Sequence, residues 1–177
     1  MKVRLVSKGF LESRVRKSMF RILRENMLCS MSTVNRLNRA HVNTAYFCYS
    51  PNIELYFLSD LVSVHSRNLS RNSSMAMAIF RSSQKWGGPD RGLQLFGTCA
   101  EARRAEAVRA ERLYGRRFPL YSKWLRGASK DDKRQAALLR SYRFHRFLPD
   151  RVKVLDEAEF GGGVFVTARV RRLQASN

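Results

Sequence analysis

The stretch from Met27 to Ala102 constrains the fold most, because short β-rich runs follow one another there with turn residues between them and room for one short helix. "MLCSMSTV" (Met27–Val34) alternates large apolar with small polar residues, the period of a strand with one covered face. "NRLNR" supplies a turn, and "AHVNTAYFCY" (Ala40–Tyr49) resumes with β-branched and aromatic residues, so the two runs read as a hairpin. "SPN" turns the chain again into a third strand, Ile53–Ser59. Ser63–Arg71 reads as a short helix, Ser74–Phe80 as a fourth strand, Gln84–Gly92 as a loop and Leu93–Ala102 as a fifth strand. The order is β-β-β-α-β-β, and a sheet of this size reduces its exposed edges by curling into a barrel.

The flanks read differently. Residues 1–26 are basic, and Phe10, Phe20, Ile22 and Leu23 can dock the apolar side of an N-terminal surface helix, a reading preferred over an organellar presequence. From Glu101 an Ala-rich helix runs to Gly115, with Glu101 and Glu106 three residues before Arg104 and Arg109 on an expected solvated face. A helix-like stretch continues to about Phe147, and Arg151–Phe160 with Gly163–Arg172 read as a closing β pair. The Gly161–Gly163 run lacks nucleotide-loop spacing and reads as a tight turn. The expectation is one domain over 1–177: a helix over 1–26, core strands and a helix over 27–102, a helical insertion over 103–150 and closing strands over 151–177.

Charge limits the partners. Lys and Arg total 34 against 14 Asp and Glu, a net charge of +20, concentrated outside residues 41–100. Polyanions are therefore plausible partners, with Arg143, Phe144 and Arg146 in "SYRFHRFLPDR" as the candidate clamp for a nucleic acid, although no nucleic-acid-binding motif accompanies them. Cys29, Cys48 and Cys99 form no C-x-x-C pair, which fits a reducing cytoplasm, and no apolar run approaches the length of a membrane span. His41, His65 and His145 have no metal-ligand spacing, and no G-x-S-x-G elbow is present.

The junction between the third strand and the short helix is the candidate anion site. A helix start exposes unpaired N–H groups, Ser63 can cap it or donate to a phosphate, Ser59 and Ser66 add hydroxyls, and His65 and Arg67 add charge. The competing reading is that Ser63 only caps the helix while Arg67 and Arg71 face water.

"AHVNTAYF", "LYFLS", "SVHSRNLSRNSS" and "MAMAIF", in this order and spacing, resemble the FMN-binding split-barrel superfamily typified by pyridoxamine 5′-phosphate oxidase. "RGLQLFG" (Arg91–Gly97) and "YGRRFP" (Tyr114–Pro119) are similar to an uncharacterised bacterial subfamily of it. The resemblance implies a mainly β fold, a split barrel of about six to seven strands with peripheral helices, forming a homodimer with FMN in the cleft between subunits and oxidoreductase chemistry on an unknown small molecule. It places Ser63 at the phosphate-binding serine and His65 at a position often held by lysine. Leu58 and Ser59 match the strand end lining the cofactor, and Asn43 and Thr44 lie on the strand whose backbone faces the flavin. Val64 stands where the family has arginine, and His65, with an ordinary pKa near ~6.5, is expected to be partly charged at neutral pH. Heme, the deazaflavin F420 or no cofactor are the alternatives that the same fold leaves open.

Overall fold

The computed structural model describes residues 2–173. Along the chain come β1 (Lys2–Ser7), α1 (Glu12–Glu25), β2 (Leu28–Val34), β3 (Ala40–Tyr49), β4 (Leu55–Ser59), α2 (Val64–Leu69), β5 (Ser74–Phe80) and β6 (Arg91–Glu101). They are followed by α3 (Ala105–Arg117), α4 (Pro119–Arg126), α5 (Lys130–Ser141), β7 (Arg143–Asp156), α6 (Glu157–Phe160) and β8 (Phe165–Leu173). All strand pairings are antiparallel, in the order β1-β8-β7-β4-β3-β2-β5-β6, and a further pairing of β7 with β6 closes six strands into a barrel.

The 14-residue β7 makes this closure possible. One edge runs beside β6 from Glu101↔His145 to Arg91↔Asp156, while the other edge changes partner, pairing with β4 over Arg143–Phe147 and with β8 over Arg151–Leu155. The wall splits at that change. Pro149, which has no N–H to donate, lies between the two partners, and the β6 register shifts opposite it at Phe96/Gly97. Gly97 permits the close approach: a Cβ there would collide with the Leu148 carbonyl and lie 2.7 Å from Pro149 Cα. β1 pairs with β8 and extends the sheet beyond the barrel.

Alternation fills the interior. Cys29, Met31, Met75, Met77, Leu93 and Leu95 point inward from β2, β5 and β6, and α1 lays Val15, Met19, Ile22 and Leu23 on this core. Two buried carboxylates fix the helices to the barrel. Asp156, at the end of β7, accepts from Ser18 at 2.5 Å and pairs with Arg21 and Arg91, which anchors α1. Glu54 accepts from Ser50 at 2.8 Å and pairs with Arg146 at 2.7 Å and Arg109 at 2.9 Å, which anchors α3 on β4 and β7. Burial alone would push the Glu54 pKa up, but the Ser50 hydroxyl and the two guanidiniums outweigh it and hold the carboxyl below its usual value. Arg117, stacked 4.9 Å from the Phe47 and Tyr49 rings, donates to the Leu23 and Asn26 carbonyls and satisfies the C-terminal end of α1.

Several expectations are corrected. The expected N-terminal helix is, among the described residues 2–26, a strand and then a helix: "KVRLVS" is extended, with Val3 and Leu5 buried, and Gly9 at φ +78° turns the chain into α1. The basic composition had obscured the period of two. The helical insertion ends at Ser141 instead of about Phe147, because Arg143–Phe147 is β7. Both faces of that strand are covered, so its apolar residues do not alternate with polar ones. The expected Glu106–Arg109 pair on a solvated face does not form: Glu106 pairs with Arg146, and Arg109 turns in to Glu54. The glycine run is a turn, with Gly161 and Gly163 at φ +99° and +71°, but it follows the single-turn helix α6 instead of a strand.

Candidate functional site

The β4–α2 junction gathers four of the expected residues. Ser59 ends β4 with its side chain inward, and the Asp60 carboxylate accepts from Val62 N at 3.0 Å to bend the chain into α2. Ser63 caps the helix, accepting from Ser66 N at 3.3 Å. His65 Nε2 lies 2.5 Å from Ser59 Oγ and 3.1 Å from Ser63 Oγ, and Ser66 Oγ lies 2.8 Å from Ser63 Oγ and 3.3 Å from Ser59 Oγ. The result is a closed network of three hydroxyls and one imidazole. Asn68, which the sequence reading did not single out, donates to Thr33 Oγ1 at 3.0 Å and pins α2 across the end of β2.

Within this network His65 is neutral, which corrects the expectation of partial charge. Burial pushes its pKa down to about 4, and the neighbouring imidazoles of His145 and His41 oppose protonation further. Strand pairing explains how three histidines far apart in sequence come to act on one another. His41 lies opposite Thr33 on β2, His145 lies opposite Phe57 on β4, and α2 rests on the strands carrying Thr33 and His41. No cluster of metal-ligating side chains forms among the described residues.

The other expected residues lie apart. Arg67 is exposed and joins neither the network nor any ion pair among the described residues. Leu58, paired with Phe144, faces the opposite side of β4 from Ser59 and packs with the cluster beneath α3 and α4. Asn43 lies opposite Met31 on the core face of β3, whereas Thr44 lies opposite Ser30 on the outer face. Of the candidate nucleic-acid clamp, Arg146 is engaged by Glu54 and Glu106 and Phe144 is buried, while Arg143 is exposed and donates only to the backbone carbonyls of Arg140, Ser141 and Tyr142.

His145 adds a feature that had no sequence signal. Its ring stacks on Phe57 at 5.1 Å and 6°, its Nδ1 is buried without a hydrogen-bond partner, and it lines a 410 Å³ cavity with Leu61, Ser66, Leu69, Ala100 and Arg103. Burial pushes the His145 pKa down, and the Arg143 backbone and Glu101 only partly offset this.

A phosphate needs donors and positive charge. Ser59, Ser63 and Ser66 supply neutral donors with no carboxylate in their network, while His65 adds no charge and Arg67 is the cation carried by the same helix. The hydroxyls are already engaged with one another and with the Asp60 carbonyl, which Ser63 Oγ meets at 2.8 Å and Ser59 Oγ at 3.3 Å, so a phosphate held here would have to replace those bonds, with less cationic character than the sequence reading expected.

No protein-family model and no curated protein matched the sequence. Solved structures do match in fold. A protein of unknown function from Agrobacterium tumefaciens, Atu2129, superimposes with TM-score 0.64 at 15% identity over 85% of this chain, which spans only 60% of that protein. The heme storage protein HutZ from Vibrio cholerae matches with TM-score 0.59 at 15% identity, covering 75% of this chain and 88% of HutZ. A Listeria innocua protein named after pyridoxamine 5′-phosphate oxidase matches with TM-score 0.61 at 15% identity, over 80% of this chain and 98% of its own. The fold is the split barrel shared by these proteins.

Proposed function

We propose that the protein is an FMN-binding flavoprotein that works as a homodimer, with oxidoreductase chemistry on a small molecule. The observation that carries this reading is the serine cluster at the β4–α2 junction, with three hydroxyls and no carboxylate in its network. Ser59, Ser63 and Ser66 would bind phosphate oxygens, Arg67 would add charge from the same helix, and Thr44 would border the ring from the outer face of β3. Bound FMN supplies the electron and hydride transfer, and the chain's part is to hold and orient it. The dimer reading rests on that outer face, where the small residues Ser30, Ser32, Ala76 and Ala78 lie in register and Val42 and Phe80 are 64% and 54% exposed.

One observation favours a second reading, heme binding: the buried His145 imidazole, whose Nδ1 has no hydrogen-bond partner, beside a cavity lined by Leu61, Leu69 and Ala100 together with Ser66, Ser70, Glu101 and Arg103. Neighbours described as heme proteins, HutZ and a heme-binding protein from Mycobacterium smegmatis among them, support it by fold alone. The visible spectrum of the purified protein separates the readings. For FMN, fluorescence titration should show quenching, Arg67→Ala should weaken binding about ten-fold or more, and His65→Lys should tighten it. Because His65 is neutral well above pH 4, affinity should stay flat between about pH 6 and 8, with no histidine-driven fall. Equal affinities in all three proteins would place the phosphate elsewhere. A Soret band lost in His145→Ala would favour heme.

A further inference from the structure

Ser59 and Leu58 are neighbours on β4 but face opposite sides, and the Leu58 side holds a second cavity that the serine cluster does not touch. It lies between α3, α4, α5 and the outer face of β4 and β7, measures 490 Å³, and has an apolar floor of Leu58, Val108, Leu125, Leu139 and Phe144. An adjoining cavity of 330 Å³ shares Glu111, Tyr121, Leu125 and Arg126 with it as a common wall.

Two observations distinguish the larger cavity from a mere packing gap. Tyr121 is 7% exposed and lines both cavities, yet its hydroxyl has no hydrogen-bond partner among the described residues. The ring is buried but the hydroxyl is not sealed in, so it is open to solvent and to a ligand in the cavities that Tyr121 lines. Burial, with Glu111 nearby, pushes its pKa up to about 12, so it remains a donor at neutral pH. The second observation is charge. Arg126, Arg140 and Arg143 line the cavity, and none has a carboxylate partner among the described residues. They rest instead on backbone carbonyls, Arg126 on Ser122, Arg140 on Leu125, and Arg143 on Tyr142 at 2.9 Å. Glu111 is the one acidic residue in the lining. It stands with Arg126 on the shared wall, whereas Arg140 and Arg143 belong to the larger cavity alone.

We propose that this cleft is a second ligand site for an amphipathic acid, its apolar body on Leu58, Val108, Leu125 and Phe144 and its anionic head at Arg140 and Arg143. Apolar burial supplies affinity, and the guanidiniums, which have no carboxylate partner among the described residues, select the head group. The site is independent of the FMN reading, since it lies on the opposite side of β4.

The test is isothermal titration of the full chain with decanoate below its micelle concentration, beside decyl phosphate and decyltrimethylammonium. The expected result is one decanoate per chain and no binding of the cationic analogue. Decyl phosphate binding tighter or weaker than decanoate would say which anionic head the site prefers, with either order upholding the acid class. Arg140→Gln/Arg143→Gln should weaken decanoate about ten-fold or more, with thermal melts confirming that the variant is folded. Ala107→Phe, which fills the cavity and leaves the arginines in place, should weaken both anions. Ser63→Ala/Arg67→Ala should leave decanoate binding unchanged whatever it does to FMN. Equal binding of the trimethylammonium compound, wild-type affinity in the double glutamine variant, or no binding of either anion at millimolar concentration would overturn the proposal.

Discussion

His65 should make the stability of this protein sensitive to mild acid. In the unfolded chain its pKa is about 6.5, so it takes up a proton as pH falls through that value, while in the folded protein the ring resists protonation down to about 4. Between these values the unfolded state binds more protons, so stability is complete above about pH 6.5 and is lost as pH falls. The full difference corresponds to about 3 kcal/mol, of which about 2 kcal/mol is gone by pH 5. For a domain of this size that is a drop in Tm of about 4–8 °C. His145, whose pKa is also lowered, acts in the same direction, so a residual slope is expected when His65 is replaced. The assay is a series of thermal or urea melts from pH 7.5 to 4.5 on the wild type and His65→Gln, whose amide can still meet the Ser59 and Ser63 hydroxyls but does not titrate. The glutamine variant should lose the larger part of the pH dependence. Parallel pH profiles in the two proteins would refute the buried, neutral His65.

Three further outcomes follow from the packing. Gly97→Ala should destabilise by about 2–4 kcal/mol, because the new methyl meets the backbone of Leu148 and Pro149 instead of a movable side chain, and denaturant melts will measure it. Glu54→Gln should cost about 3 kcal/mol by leaving Arg109 and Arg146 without their shared carboxylate, while Glu12→Gln, at a half-buried residue whose ion-pair partner Arg4 is exposed and whose amide oxygen can still accept from Leu5 N, should cost about 1 kcal/mol or less. All three cysteines are buried, and burial pushes the thiols of Cys29 and Cys48 up to about 12 and that of Cys99 up as well, so an aromatic disulfide reagent should label none of them until urea is added.

How much of this was legible in the sequence depended on which faces of an element are covered. β3 and β5 were readable to the residue because one side of each is open, leaving clean alternation over Ser74–Phe80 and clear turns around Ala40–Tyr49. The first half of β7 was not, since Phe144 packs outward against Tyr114 and Tyr121 while His145 and Phe147 pack inward, and a strand covered on both sides carries no alternating signal. The candidate site divides in the same way. The grouping of Ser63, His65 and Ser66 was local and could be read from spacing, whereas the loss of charge on His65 comes first from its burial and then from His145 and His41, which lie 80 and 24 residues away in the sequence.

Among the described residues β1 pairs only with β8, and the barrel closes only through β7. During synthesis, therefore, the strand made first waits for the strand made last among the described elements, and β4 and β6 present open edges until Arg143–Asp156 emerges. Topology of this kind makes folding slow and leaves unpaired strand edges exposed to other chains in the meantime. The excess of positive charge gives the nascent chain a reason to stay apart from its copies through that interval, by mutual repulsion, before any ligand is bound.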